Sequence, residues 1–262
     1  NERQFIIHLQ DIETKNSAPF ANKKYHIQSG DNSIDVTSDA NGDILLNISP
    51  KEHPRPNTVI GDTKTTITEY KVPDGYQVIP SSTEIYINVR NNGNDYFLNS
   101  MQDGVNNNPF VVDMPNRRLT LMRFPVAKLK LRVTDREEKP LPGAIFEIMC
   151  DSKPVATLTC NAKGECSIPV KLHEGDNIGE PVYLTAGNQT YVIKETPPAG
   201  YKGSFTCSFN LYYKPYPANP TSHHTTWFRI NAFNDNSGEG GSHSLVNTVG
   251  EQDTFHVTNS KL

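Results

Sequence analysis

Apolar residues recur at every second position through much of this chain, and no window sustains the apolar period of about 3.6 residues that marks an amphipathic helix. Leu129-Lys130-Leu131-Arg132-Val133 alternates strictly, and Phe5-Ile6-Ile7-His8-Leu9 reads as a strand of similar kind. Successive side chains of an extended chain point to opposite faces, so the pattern predicts strands with one buried face. After turns containing Pro19 and Pro140, Tyr25-His26-Ile27 and Phe146-Glu147-Ile148 supply second strands. The predicted class is all-β, and the frequent turns favour β-sandwiches.

A turn phrase occurs twice. Ile67-Thr68-Glu69-Tyr70-Lys71-Val72-Pro73-Asp74-Gly75-Tyr76 is echoed by Ile193-Lys194-Glu195-Thr196-Pro197-Pro198-Ala199-Gly200-Tyr201. In each, a strand carries a glutamate and a Pro-x-Gly-Tyr turn reverses the chain, with proline presetting φ and glycine accepting φ > 0. A shared hairpin turn, Asp39-Ala40-Asn41-Gly42 against Asn161-Ala162-Lys163-Gly164, supports aligning the halves. The repeat predicts two tandem sandwiches, residues 1–125 and 126–262, joined near Pro125-Val126. Either half is long enough to bury a core of its own.

Composition narrows the function. The chain has 262 residues, 17 glycines, 19 prolines and a net charge of −4 with both signs interspersed, so a nucleic-acid partner is not expected. No stretch approaches the roughly 18 apolar residues of a membrane span, and Asn1 opens directly onto strand-like sequence, which reads as a mature or trimmed ectodomain. There is no Gly-x-Ser-x-Gly elbow, phosphate-binding loop, zinc-protease helix or cysteine nucleophile, so no enzyme is expected. No cofactor is implied. No metal site is expected either, because adjacent His223 and His224 would point to opposite faces of a strand and so would not join His243.

All four cysteines lie in the second half, and an even count within one β-domain favours an oxidising exterior. Cys160 and Cys166 flank the Asn161–Gly164 turn, where a closing hairpin brings the two into disulfide range. That leaves Cys150 for Cys207, although four cysteines allow three pairings.

The order of strand, Pro140-Leu141-Pro142-Gly143-Ala144-Ile145-Phe146, glycine hairpin, Tyr191–Tyr201 phrase and final Val257-Thr258-Asn259 resembles a Cna-B domain. Such domains are the inverse immunoglobulin-like, prealbumin-like modules of Gram-positive surface adhesins and sortase-assembled pilins. The resemblance covers nearly all of the second half and, in the first, the Glu69 phrase and the hairpin. It implies a chemistry in which a first-strand lysine and a last-strand asparagine form an isopeptide bond, assisted by the glutamate. Burial keeps the amine neutral and the acid protonated.

Carried onto the second half, Glu195 takes the place of the acid and Asn259 that of the acceptor, but the lysine position, two before Asp135, is Val133. Lys128 and Lys130 alternate with the apolar residues and should face solvent unless a bulge or slip turns one inward. In the first half the lysine position, two before Glu13, falls on Asp11 and the acceptor on Arg123, beside Glu69. Either Asp11 and Arg123 form a buried ion pair, or both are exposed and unrelated.

The resemblance also implies a lysine for sortase to link to the next subunit, and Lys214 in Leu211-Tyr212-Tyr213-Lys214-Pro215-Tyr216-Pro217 is the candidate; an exposed loop lysine is the plain alternative. An insertion follows that the first half does not clearly match. In it Trp227, with Tyr216, is either an aromatic ligand-binding surface or a core residue of a strand over 225–230. The expectation is a basal or tip pilin giving a rigid, protease-resistant stalk, with other pilin subunits and sortase as partners. The alternative is an adhesin whose inserted loop binds a host matrix protein or glycan. Either places the chain outside the cell, anchored to the wall, although the family's sorting signal is absent and Leu262 ends the chain, read as truncation.

Overall fold

A computed structural model describes residues 3–78, 82–90, 95–99, 110–113, 116–213, 228–246 and 254–262. The chain forms two compact units that part between Pro125 and Val126.

The first unit contains β1 (Arg3–Asp11), β2 (Lys24–Ser29), β3 (Asn32–Thr37), β4 (Asp43–Ser49), β5 (Val59–Ile60), β6 (Lys64–Glu69), β7 (Ser82–Arg90), β8 (Asp95–Asn99), β9 (Phe110–Asp113) and β10 (Arg118–Arg123). Two five-stranded sheets result, ordered β5-β4-β1-β10-β9 and β3-β2-β6-β7-β8. The alternation read from the sequence becomes burial of every second residue: in β10 Leu119, Leu121 and Arg123 are buried and their neighbours are not. One core joins the sheets, with Phe5, Ile7 and Leu9 of β1 facing Tyr25, Ile27 and Ile67 of the second sheet. Each such aliphatic or aromatic side chain contributes about 1.5–3 kcal/mol by leaving water. The unit is a β-sandwich.

The second unit contains β11 (Ala127–Thr134), β12 (Ile145–Cys150), β13 (Lys153–Thr159), β14 (Glu165–Lys171), β15 (Leu184–Thr185), β16 (Tyr191–Thr196), β17 (Tyr201–Lys202), β18 (Thr206–Tyr213), β19 (Phe228–Asn236), β20 (Ser242–Val246), β21 (Thr254–Thr258) and β22 (Ser260–Lys261). Its sheets are ordered β15-β14-β11-β21-β20 and β13-β12-β16-β18-β19, with β17 and β22 forming a small ribbon. Both sheets again contribute to one core, including Leu129, Leu131, Phe146, Ile193, Phe209 and Phe255.

The two units share one topology. Strand for strand the sheet orders correspond, and the parallel pairs β1–β10 and β4–β5 recur as β11–β21 and β14–β15. The first and last long strands of each unit are therefore hydrogen-bonded side by side. The hairpin glycines match as well: Leu9 N–H donates to Gly42 O at 3.3 Å and Val133 N–H to Gly164 O at 2.8 Å. Gly164 has φ +71, and a Cβ there would stand 2.4 Å from the Val133 carbonyl oxygen, so the close approach of turn to strand requires glycine.

Candidate functional site

Each unit encloses a polar group where the glutamate strand faces the last strand. In the second unit Glu195 lies on β16 opposite Phe146, and its N–H donates to Phe205 O at 2.7 Å. On the other side Val133 pairs with Val257 and Thr134 with Thr258, which places Asn259 two residues beyond the partner of Val133. Asn259 donates from its backbone to Thr134 O at 3.0 Å and from Nδ2 to Glu195 Oε1 at 2.7 Å. Asn259 is fully buried and Glu195 nearly so. Gly203, at φ +130, makes room, since a Cβ there would lie 2.5 Å from Asn259 Nδ2.

Burial pushes the Glu195 carboxyl above its ordinary range, against the opposing pull of the Asn259 hydrogen bond. Glu195 Oε2 and Asn259 Oδ1 are buried without hydrogen-bond partners among the described residues. An acid inclined to stay protonated thus sits against a carboxamide in an apolar surround, two of the three groups that amide transfer to an amine requires. The third is lacking among the described residues: Val133 is fully buried, while Lys128 and Lys130 are exposed on the outer face of β11.

The first unit fills the same positions differently. Glu69, on β6 opposite Tyr25, accepts from Arg123 Nε at 2.5 Å. Arg123 is the largest fully buried side chain among the described residues, and its Nη1 also donates to Thr83 Oγ1 at 3.3 Å and to Met122 O at 3.2 Å. Glu69 Oε2, Arg123 Nη2 and the Tyr25 hydroxyl are buried without hydrogen-bond partners among the described residues. Burial, then the negative charge of Glu69, raises the Tyr25 phenol pKa far above its usual value.

The reading of Asp11 as the lysine position is corrected by register. Leu9 pairs with Leu121 as Val133 pairs with Val257, so Leu9, fully buried, is the counterpart of Val133. Asp11 corresponds to Asp135. Asp11 Oδ1 accepts from the N–H groups of Glu13 and Thr14 at 2.7 and 2.9 Å, as Asp135 Oδ1 accepts from Glu137 and Lys139 at 2.8 and 2.9 Å. Gly42 follows Leu9 by 33 residues whereas Gly164 follows Val133 by 31, and an ungapped alignment misses that difference. Asp11 and Arg123 are both buried, yet Arg123 bonds to Glu69, and Asp11 Oδ2 accepts from Tyr76 OH at 2.6 Å.

The cysteines are free thiols. Cys160 and Cys166 stand with their sulfurs 3.4 Å apart across the hairpin. Their mutual hydrogen bond lowers the Cys160 pKa and raises that of Cys166. The Cys150–Cys207 pairing is corrected. Cys150 is opposite Tyr191 and Cys207 opposite Ile193, on strands flanking β16. Two strand spacings, roughly 10 Å, exceed the roughly 7 Å Cα limit for a disulfide. Burial raises the Cys207 thiol to about 11.

Lys214, Tyr216 and Trp227, together with His223 and His224, lie outside the described residues. The sequence reading passed over one polar set. His243 on β20 meets Asp235 Oδ2 through Nε2 at 2.5 Å and Ser237 Oγ through Nδ1. The bond from His243 lowers the Asp235 pKa. The Phe205 ring lies 5.0 Å from the imidazole and Ser237 O accepts from Ser204 N–H at 2.8 Å, so the set clasps the β19–β20 hairpin against the sandwich. It was not legible because its members share neither a strand period nor a motif. Among the described residues no group of three or more His, Cys, Asp or Glu could hold a metal ion, and no helix is long and apolar enough to cross a membrane.

No protein-family model matches the chain, and no curated protein does. Solved structures that it resembles include the C-terminal fragment of the pilus adhesin SpaC from Lactobacillus rhamnosus GG, with 14% identity over 99% of this chain and 98% of that one, at a TM-score of 0.30. The shaft pilin SpaA from Lactobacillus rhamnosus GG aligns at 8% identity over 100% of this chain and 98% of the other, TM-score 0.31. The Bacillus anthracis TIE protein aligns at 16% identity and TM-score 0.30 over 100% of this chain, which spans 34% of the TIE chain.

Proposed function

We propose that this chain is a structural subunit of a Gram-positive cell-surface pilus, basal or at the tip, built from two tandem immunoglobulin-like modules of Cna-B type. The observation that carries the reading is the repeated Glu-to-Pro-x-Gly-Tyr phrase, which in both units aims a buried glutamate at the strand paired in parallel with the first. A parallel first–last pairing suits a stalk, because a pull on the two ends of a unit loads the whole hydrogen-bonded ladder in shear rather than opening it one bond at a time. Sandwiches whose backbone groups are paired also resist proteases, which need locally unfolded chain.

Lys214 is the proposed acceptor for sortase, and other pilin subunits are the proposed partners. Incubation with a pilin-class sortase and a partner subunit should give high-mass polymers that Lys214→Ala abolishes; polymers that persist in the variant would remove the assignment. The second reading, an adhesin, draws on the aromatic run that ends β18, where Tyr212 is 48% exposed just before the insertion. Under it Trp227→Ala and Tyr216→Ala should abolish binding to an array of host matrix proteins and glycans.

A further inference from the structure

The outward face of β11 carries Lys128, Lys130 and Arg132 on alternate residues, a row of three positive charges spanning roughly 13 Å of strand. These residues and His256 of β21, the neighbour of Arg132, line a trough of about 460 Å³ on the outside of the second unit's first sheet. Asn161, Ser167 and Thr254 add polar groups to its walls, and Glu165 is the one carboxylate among the described lining residues. Among the described residues none of the three cations has an ion-pair partner within 4.0 Å, and His256 Nε2 is buried without a hydrogen-bond partner.

The fold has no use for this row. Like charges on one face of a strand repel, and β11 is a central strand bonded on both sides, so the charges do not guard an open edge. The first unit shows what the same scaffold does without it. The corresponding residues of β1 are Gln4, Ile6 and His8, and there Asp43, opposite His8, lies 2.6 Å from its Nδ1 and 3.1 Å from Arg118; in the second unit Glu165 stands opposite Arg132 without forming an ion pair within 4.0 Å, and Lys128 and Lys130 stand opposite Pro169 and Ser167. In a chain of net charge −4, a trough whose three cations have no ion-pair partner among the described residues points to a counter-charge supplied from outside.

We infer that this trough binds an acidic glycan chain. A linear polymer bearing sulfate or carboxylate groups matches a linear row of cations, Arg132 offers a planar fork to an oxyanion, and hydroxyl and amide groups beside the cations suit a hydroxyl-rich ligand. Among the described lining residues there is no Phe, Tyr or Trp on which a nucleic-acid base would stack. The residues invoked are not those on which the pilus reading rests, so the proposal stands or falls independently of pilus assembly.

The test is binding of the full chain to heparin oligosaccharides by calorimetry at physiological salt, with hyaluronan, neutral dextran and a single-stranded oligodeoxynucleotide as comparison probes. The triple variant Lys128→Gln/Lys130→Gln/Arg132→Gln should weaken heparin binding about tenfold or more. A control triple of exposed lysines elsewhere, Lys51→Gln/Lys71→Gln/Lys153→Gln, should change it less than about twofold. A response to hyaluronan as well would assign carboxylates to the ligand class; heparin alone would restrict it to sulfated chains. No binding to either glycan, equal losses in the two triples, or an oligodeoxynucleotide bound as tightly as heparin would each overturn the proposal. Because all substituted side chains point out of the sandwich, unchanged melting of the triple variant separates loss of site from loss of fold.

Discussion

The two units place different chemistry on one scaffold. Where the second unit has Val133, Phe146, Glu195 and Asn259, the first has Leu9, Tyr25, Glu69 and Arg123. In both, the position from which an amine could attack is a buried aliphatic, so neither holds the complete set for an isopeptide bond. They diverge in how the buried acid is satisfied: a guanidinium neutralises Glu69, whereas Glu195 meets only an amide and burial drives it towards its neutral form. An acid at this place can thus be retained as half of an ion pair or as a protonation-prone hydrogen-bond acceptor, depending on one residue of the last strand.

The largest expected effect comes from restoring the missing amine. Val133→Lys should bring a lysine beside Glu195 and Asn259, and bond formation should lower the intact mass by one ammonia, about 17 Da. Closing the loop between residues 133 and 259 should then raise stability by about 4–5 kcal/mol, less any cost of repacking. Leu9→Lys should leave the mass unchanged, because Arg123 carries no carboxamide. Ammonia loss in the Leu9 variant, or none in the Val133 variant, would break the equivalence drawn here.

Next in size is the ion pair. Glu69→Gln strands a buried guanidinium and should destabilise the first unit by about 3–5 kcal/mol, while Glu195→Gln keeps a hydrogen-bond acceptor and should cost less than about 1 kcal/mol in the second. Urea titration followed by unit-specific probes distinguishes them; similar losses would show that Arg123 and Asn259 do equivalent work.

Only the second unit carries a thiol pair. Mild oxidation should join Cys160 to Cys166, lower the mass by about 2 Da and stabilise that unit by about 2 kcal/mol, reversibly with reductant. Cys150→Ser and Cys207→Ser should leave that mass shift intact, whereas Cys160→Ser should remove it.

The smallest effect is in pH. Because the folded pKa of Glu195 is raised, the folded state holds its proton more tightly than the unfolded one. The second unit should therefore lose stability as pH rises from the unfolded carboxylate value, about 4.3, through the raised folded value. The loss should be absent from Glu195→Gln. A pH-independent second unit would mean that Asn259 fully offsets desolvation.

Much of this architecture could be read before any coordinates. Glu69 and Glu195 could be located from their shared turn phrase, since proline and glycine fix backbone angles locally and leave a trace in the sequence. The partner of Arg123 could not. A strand position two residues out still looks like a strand position, and the two extra residues between β1 and β4 moved Asp11 from its true place, at the end of β1 and bonded to Tyr76, to the lysine position. Cysteine partners failed for a related reason. The Cys160–Cys166 distance is set by one local turn, but Cys150 and Cys207 are held apart by β16, a strand from elsewhere in the chain.

The sequence by itself determined the strands and turns, and with them an all-β chain, because alternation of period two and the φ demands of proline and glycine act within a few residues. Tertiary structure decided which charge meets which acid, which thiols can meet, and that three outward cations share a trough without ion-pair partners among the described residues. Those outcomes depend on register and strand order, which bring together residues such as Glu69 and Arg123, 54 positions apart, at distances where a shift of one strand or one residue reverses the electrostatics.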